Sequence, residues 1–210
     1  MSDTLLPAYR HRLVAAGYDA LNTLLWLPTG SRRLRRMFVE AVDVGPDCRV
    51  LELGCGTGLV TSLLCATGAS VTAIDNADTM IAAARRRAPS AVFVRGNAVA
   101  PAVTDPFDRI VLGFVLHELT PDERVTTLIN AARWLTPTGT IGILEWACPP
   151  SALGRVWRAI VGAIEPSVAL DVLGGGLDAA IELAGLDVIT DTRCAAGRAR
   201  IVVTKMRVRG

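Results

Sequence analysis

The chain has little of what a metal site or a disulfide framework needs. Only two histidines occur in 210 residues, and no pair of the five cysteines has C-x-x-C spacing. No zinc site or other metal centre is expected. The odd cysteine count offers no disulfide framework and suits a reducing compartment, so a cytoplasmic protein is expected. Long apolar runs are missing too: the most apolar late stretch, 156–173, is broken by Arg158, Glu165, Pro166 and Asp171. Met1-Ser2-Asp3-Thr4 is not a charged n-region leading into an apolar core, so no signal peptide is expected. Excess charge of one sign is equally scarce. A net charge of +2 gives no global nucleic-acid signal, and no nucleic-acid partner is expected. The basic residues do cluster, at Arg32, Arg33, Arg35 and Arg36, at Arg85, Arg86 and Arg87, and at Arg198, Arg200, Lys205, Arg207 and Arg209. Each cluster reads as a solvated face or helix end, with a phosphate-bearing or membrane-surface partner as the alternative. No internal repeat and no linker break the chain, which implies one domain over 1–210.

What is present is apolar. Hydrophobic residues make up 51% of the chain against 20% charged, and the mean hydropathy is +0.40. A folded domain with a sizeable core follows. An apolar substrate cleft, a homodimer face or contact with a membrane surface would each account for the surplus. The chain is organised around Val50-Leu51-Glu52-Leu53-Gly54-Cys55-Gly56-Thr57-Gly58, an apolar run with an acid two residues before the first of three alternating glycines. It reads as a buried strand entering a turn and then a helix near Leu59. Its glycines permit positive φ and let a ligand lie against the backbone.

Around that stretch the pattern alternates. Helical spacing over 5–28 ends at Pro28-Thr29-Gly30, and a second helix is expected from Ser31 to Val42 with Ser31 as its cap and the arginines outside. Strands are expected at 48–53, 70–74, 91–95, 108–115 and 140–146, and helices at 58–67, 77–87 and 121–135. Thr120-Pro121-Asp122-Glu123 is a helix start with cap, proline and acids in favourable places. This rhythm predicts an α/β, doubly wound parallel sheet with ligands at the carboxyl ends of its strands. A helix-like segment at 153–164, three glycines at 174–176, a helix at 177–184 and strand-like runs at 186–193 and 199–206 follow.

The stretch Glu52-Leu53-Gly54-Cys55-Gly56-Thr57-Gly58 resembles motif I of the class I S-adenosylmethionine-dependent methyltransferases. The resemblance continues through Ser70 to Asp75, Gly96-Asn97-Ala98, Phe107 to Leu119 and the turn Leu135 to Thr140. It is close over 40–146 and loose in the tail. A dinucleotide-binding fingerprint is set aside because Leu59 stands where its third glycine belongs. The resemblance implies a Rossmann-like seven-stranded sheet of order 3-2-1-4-5-7-6, with N-terminal helices over 1–43 covering the cofactor cleft. Segment 147–176 then reads as an insertion forming a substrate lid.

It also implies roles. Gly54, Gly56 and Gly58, with Cys55 between them, would floor the cofactor, and Glu52 would lie near its amino group. Asp75 would accept the ribose hydroxyls, with Asn76 beside it. Asn97 and Ala98 would meet the adenine, and Met80 either packs on the ring or fills the core. Gly113 and Phe114 would line the methionine and substrate side. His117 is the candidate general base, or else a loop histidine tying down the strand exit. Tyr18-Asp19-Ala20-Leu21-Asn22 resembles a stretch of quinone-biosynthesis methyltransferases whose tyrosine approaches the methyl group; otherwise Tyr18 belongs to an amphipathic helix. Cys148 reads as structural, because no second cysteine follows the fourth strand. The expected function is methyl transfer from S-adenosylmethionine, leaving S-adenosylhomocysteine, to a small lipophilic acceptor: a quinone precursor, a phenol or a phospholipid head group. The alternatives are a non-catalytic S-adenosylmethionine-binding partner and, less favoured, an RNA methyltransferase, whose acceptor motifs are missing.

Overall fold

The computed structural model describes residue 17 and residues 26–104, 106–165 and 168–207. In chain order the elements are α1 (Ser31–Val42), β1 (Arg49–Leu53), α2 (Leu59–Cys65), β2 (Ser70–Asp75), α3 (Asp78–Arg87), β3 (Val92–Arg95) and β4 (Phe107–Gly113). Then come α4 (Pro121–Arg133), β5 (Leu135–Trp146), α5 (Leu153–Ile164), α6 (Leu177–Leu183), β6 (Leu186–Cys194) and β7 (Ala199–Met206). The strands form one sheet of order β3-β2-β1-β4-β5-β7-β6, the order implied by the resemblance. The first five run parallel, and β7 lies antiparallel between β5 and β6.

The central strands read as continuous apolar runs because both of their faces are covered. Side chains alternate between the two cores with the period of a strand. Val50, Val111 and Leu144 join Leu34, Phe38 and Val42 of α1 and Val60 and Leu64 of α2 on one face. Leu51, Leu53, Ile110 and Leu112 join Leu128 and Ala131 of α4 and Leu177 and Ile181 of α6 on the other. Helix α1 crosses the sheet closely at Gly142, where an added Cβ would lie 2.3 Å from Val42.

Helix α4 starts as its sequence predicts. Thr120 accepts from Glu123 N, the Glu123 carboxylate accepts from Thr120 N, and Pro121 takes the first turn. Three local readings are corrected. Ser31 is not a cap: Gly30 holds that position without a side-chain bond, and the Ser31 hydroxyl instead accepts from Arg35. Arg35 does not face outward with Arg32, Arg33 and Arg36 but is buried. Strand β5 begins at Leu135, because Leu135 already pairs with Phe107; the chain bulges before pairing resumes between Thr140 and Arg109. Tyr18, and most of the N-terminal cover read at 1–43, lie outside the described residues.

Within 147–176, α5 buries Trp157 and Val161. A helical turn (Ala169–Asp171) then runs through a π-turn (Val172–Gly176) into α6. The turn is anchored by Arg124 of α4, which is fully buried. Arg124 donates to Asp171 at 2.6 Å and to the carbonyls of Leu116 and Leu119 at 3.0 and 3.1 Å. These bonds fix the 3₁₀ turn Leu116–Glu118 that leaves β4.

Candidate active site

A cleft opens at the carboxyl ends of β1 to β4, where the strand order reverses. Four loops build it. The turn after β1 supplies Gly54, Cys55, Gly56 and Thr57; β2 and its exit supply Asp75, Asn76 and Ala77. Gly96, Asn97 and Ala98 follow β3, and Gly113, Phe114 and Val115 follow β4. Glu52, Leu59, Val60, Met80, Arg35, Glu118 and Leu119 complete the lining.

The three glycines do different work. Gly54 (φ 75°) lies against Val115, where a Cβ would come within 2.4 Å of a methyl group. Gly58 is not on the cleft wall: a Cβ there would lie 2.8 Å from the Ala84 backbone of α3, so its need is helix approach rather than cofactor contact. Gly56 (φ 51°) faces open space, so its missing side chain leaves the cleft floor clear.

Asp75 ends β2 with both carboxylate oxygens engaged. Oδ2 accepts from Gly56 N at 2.8 Å and Oδ1 from Ala77 N at 2.9 Å. Each oxygen keeps a lone pair for a ligand hydroxyl. Burial raises its pKa, against those backbone N–H groups. Glu52 is 2% exposed and accepts from Thr61 of α2 at 2.6 Å. Burial pushes its carboxyl up to about 8; the Thr61 bond opposes this, Asp75 adds to it and Arg35 opposes it. Cys55 is held as a thiol by burial and by the same two acids. Asn97 spends part of its amide oxygen on Val99 N at 2.9 Å. Met80 is both buried and on the cleft wall, so its two readings coincide.

Phe114, on the β4 side of the cleft, is backed by an aromatic cluster. Phe114 has φ 60°, a left-handed conformation that is strained for a bulky residue and recurs at functional sites. Its ring sits 5.1 Å from Trp26 and 5.4 Å from Trp146, with the Arg35 guanidinium 5.3 Å above it.

His117 is not where a general base belongs. It is 3% exposed and absent from the cleft wall. Its Nδ1 lies 2.7 Å from Glu145 Oε1 and its Nε2 3.5 Å from Glu165 Oε2. Burial alone would favour the neutral ring, but the Glu145 charge and the bonds to Glu145 and Glu165, aided by Glu118, raise its pKa to about 10. An imidazolium held between two carboxylates at neutral pH has no free lone pair. The second reading of His117, a tie at the strand exit, is the one its geometry supports.

The adjacent Glu118 does reach the cleft. Its side chain is exposed at the cleft mouth, yet the surrounding walls partly desolvate the carboxyl and raise it to about 7; His117 opposes this, while Glu165, Asp75 and Glu145 add to it. Glu118, Arg35, Glu145 and Glu165 are the functional candidates that reading the sequence missed. Glu118 was legible only as the neighbour of His117, and the other three carry no local signal.

The cleft's donor set fits S-adenosylmethionine. It offers carboxyl groups at Glu52 and Asp75 for an amino cation and two hydroxyls, a clear glycine floor at Gly56, and Met80 beside Asn97 and Ala98 for a flat ring. No group of His, Cys, Asp and Glu suited to a metal ion occurs among the described residues.

A methyltransferase-domain profile matches residues 50–139. Demethylmenaquinone methyltransferase of Thermus thermophilus is 33% identical over 161 residues, covering 73% of this chain and 72% of that protein. Its namesake from Beutenbergia cavernae is 35% identical over 141 residues, covering 66% of this chain and 57% of that protein. The chain therefore spans little more than half the length of that relative. Among solved structures, a TehB-like S-adenosylmethionine-dependent methyltransferase from Corynebacterium glutamicum superposes with a TM-score of 0.69 at 19% identity, covering 94% of this chain and all of that one. The sheet order, the motif I turn with its two acids and these relatives agree: the chain belongs to the class I S-adenosylmethionine-dependent methyltransferases.

Proposed function

We propose that the chain methylates a small lipophilic phenol or hydroquinone, with Glu118 as the group that receives the acceptor's proton. The observation that carries the reading is Glu118, a carboxyl raised to about 7, on the same cleft wall as Phe114 and Leu119. The names of the Thermus and Beutenbergia relatives point to the same acceptor class.

The cofactor supplies an electrophilic methyl group on a sulfonium. Glu52, Asp75 and the floor at Gly56 would hold and orient it, and the chain's remaining work is done on the acceptor. Phe114, Val115 and Leu119 offer an apolar wall for a ring and exclude water from it. A phenolic hydroxyl has a pKa of about 10, so its oxygen or ring gains nucleophilicity as the proton leaves. The Glu118 carboxylate takes that proton while the new bond to the methyl carbon forms and the carbon–sulfur bond breaks. The bound cofactor would keep the carbon–sulfur electron pair on sulfur and be left as S-adenosylhomocysteine. A base with pKa near the working pH suits this transfer.

The test uses purified chain, S-adenosylmethionine and a reduced naphthoquinol lacking the ring methyl, with product mass as readout. A product heavier by one methylene is expected. Glu118→Gln should lower kcat by about 100-fold and remove the acid limb near pH 7. If the cofactor binds but no quinol or phenol gains a methyl group, the acceptor reading fails. If Glu118→Gln turns over like the parent, the proton has another destination.

A further inference from the structure

We infer that Glu165 is a positioning residue for methyl transfer: through His117 it joins the chain leaving α5 to the turn that carries Glu118, and it sets a second negative charge near that carboxyl. The inference rests on the reading of Glu118 as the base and adds what keeps that base ready.

The turn Leu116–Glu118 is gripped from two sides. Glu145 of β5 is fully buried and engages His117 twice, accepting from its backbone N–H at 3.1 Å and meeting Nδ1 at 2.7 Å. Arg124 of α4 donates to the carbonyls of Leu116 and Leu119. These bonds fix the turn's backbone without Glu165. Glu165 adds a contact at the other ring nitrogen: its Oε2 lies 3.5 Å from Nε2, and its side chain is 19% exposed.

Its place in the chain singles Glu165 out. It is the C-cap of α5, with an extended backbone (φ −112°, ψ 159°) and its N–H donating to Val161 O at 2.9 Å. A carboxylate there faces the negative end of the helix dipole, where a cation is the favoured group. The last turn of α5 holds no basic residue. The cation comes instead from across the fold, as the His117 imidazolium. An acid set against its own helix is accounted for by the partner it meets.

Charge carries the effect to the cleft. Glu118 is acted on by one cation, His117, and by three acids: Glu165, Asp75 at the end of β2, and Glu145. Of the three acids Glu165 acts most strongly. It also offsets part of the imidazolium that would otherwise hold Glu118 down. Both actions keep the Glu118 carboxylate a stronger base. The same segment has a second tie, Asp171 to Arg124 at 2.6 Å, but that acid faces Arg124 and not His117.

The test is the pH profile of kcat/KM at low ionic strength for the parent, Glu165→Gln and Asp171→Asn, with the naphthoquinol lacking the ring methyl as acceptor. Glutamine can still accept from Nε2 but carries no charge. The acid limb of Glu165→Gln should therefore move from near pH 7 to about pH 6, and kcat on the plateau should fall a few-fold. KM for the quinol should not change, because Glu165 is absent from the cleft wall. Asp171→Asn loosens the same segment and should keep its limb near pH 7. A limb that Glu165→Gln leaves in place or moves upward overturns the inference. So does an equal movement in Asp171→Asn, which would make Glu165 a fastening of the segment only. Glu118→Gln separates the two readings. If it abolishes the limb while Glu165→Gln leaves the limb in place, only this inference fails. If it keeps the parent's limb, the base assignment fails and this inference with it.

Discussion

Two acids and a glycine carry the cofactor end of the cleft, and each makes a separate claim. Gly56 combines positive φ with open space, so a branched side chain both strains the turn and fills the floor. Gly56→Val should weaken binding of S-adenosylhomocysteine by about 100-fold, and Asp75→Ala should remove measurable binding, both read by calorimetry. Retained binding in both would unseat the site assignment. Glu52 makes a sharper prediction because its carboxyl is held at about 8 and is largely protonated at pH 7. An arriving amino cation favours the carboxylate, so binding should release a proton from it. Calorimetry in buffers of different ionisation enthalpy should count that proton near pH 7, and Glu52→Gln should abolish it. At this scale the motif residues were legible, because backbone turns and strand-end acids leave a local signature. Arg35 was not, since helix periodicity gives the direction of a position but not the Phe114 ring and Ser31 hydroxyl that receive the guanidinium.

The elements are joined by buried ionic ties that no local pattern reveals. His117 leaves β4, Glu145 lies on β5 and Glu165 follows α5, so one imidazolium pins three elements. Helix ends were legible where capping chemistry is written in sequence, as at Thr120-Pro121-Asp122-Glu123. The start of β5 was not, because the pairing of Leu135 with Phe107 is a long-range event placed before a bulge. Replacing His117 strands the fully buried Glu145. His117→Gln should therefore cost about 3–5 kcal/mol of stability, the usual penalty for leaving a buried charge unpaired. The melting temperature should fall on the order of 10 °C. Its pH–rate profile should keep a limb, because Glu118 remains, but moved above 7, because the imidazolium that holds the Glu118 carboxyl down is gone. A limb that vanishes in His117→Gln but survives in Glu118→Gln would return the base assignment to His117.

Over the whole molecule, three groups at or beside the cleft, two of them buried, share one sign. Glu52, Glu118 and His117 all bind their protons more tightly when folded, at about 8, 7 and 10 against ordinary values of 4.5, 4.5 and 6.5. A raised pKa contributes stability that is complete below the unfolded value and is lost as pH rises through the folded one. The two carboxyls therefore withdraw stability between about pH 4.5 and 8, and His117 withdraws more between about 6.5 and 10. Asp191, lowered by its bond to Arg200, acts only on the acid side of this window. The ligand-free melting temperature should fall steadily from pH 5 to pH 9. S-adenosylhomocysteine at about 100 times its Kd adds roughly 2.7 kcal/mol, or about 5–10 °C for a chain of this size. That increment should widen toward pH 8, because ionising Glu52 costs the free protein stability while the carboxylate pairs with the ligand's amino cation. In Glu52→Gln the increment should be the same at every pH in this range. Thermal unfolding with and without ligand at closely spaced pH values measures all of this. A ligand-free profile that rises toward pH 8, or a parent increment as flat as that of Glu52→Gln, would show that Glu52 does not meet the cofactor's amino group.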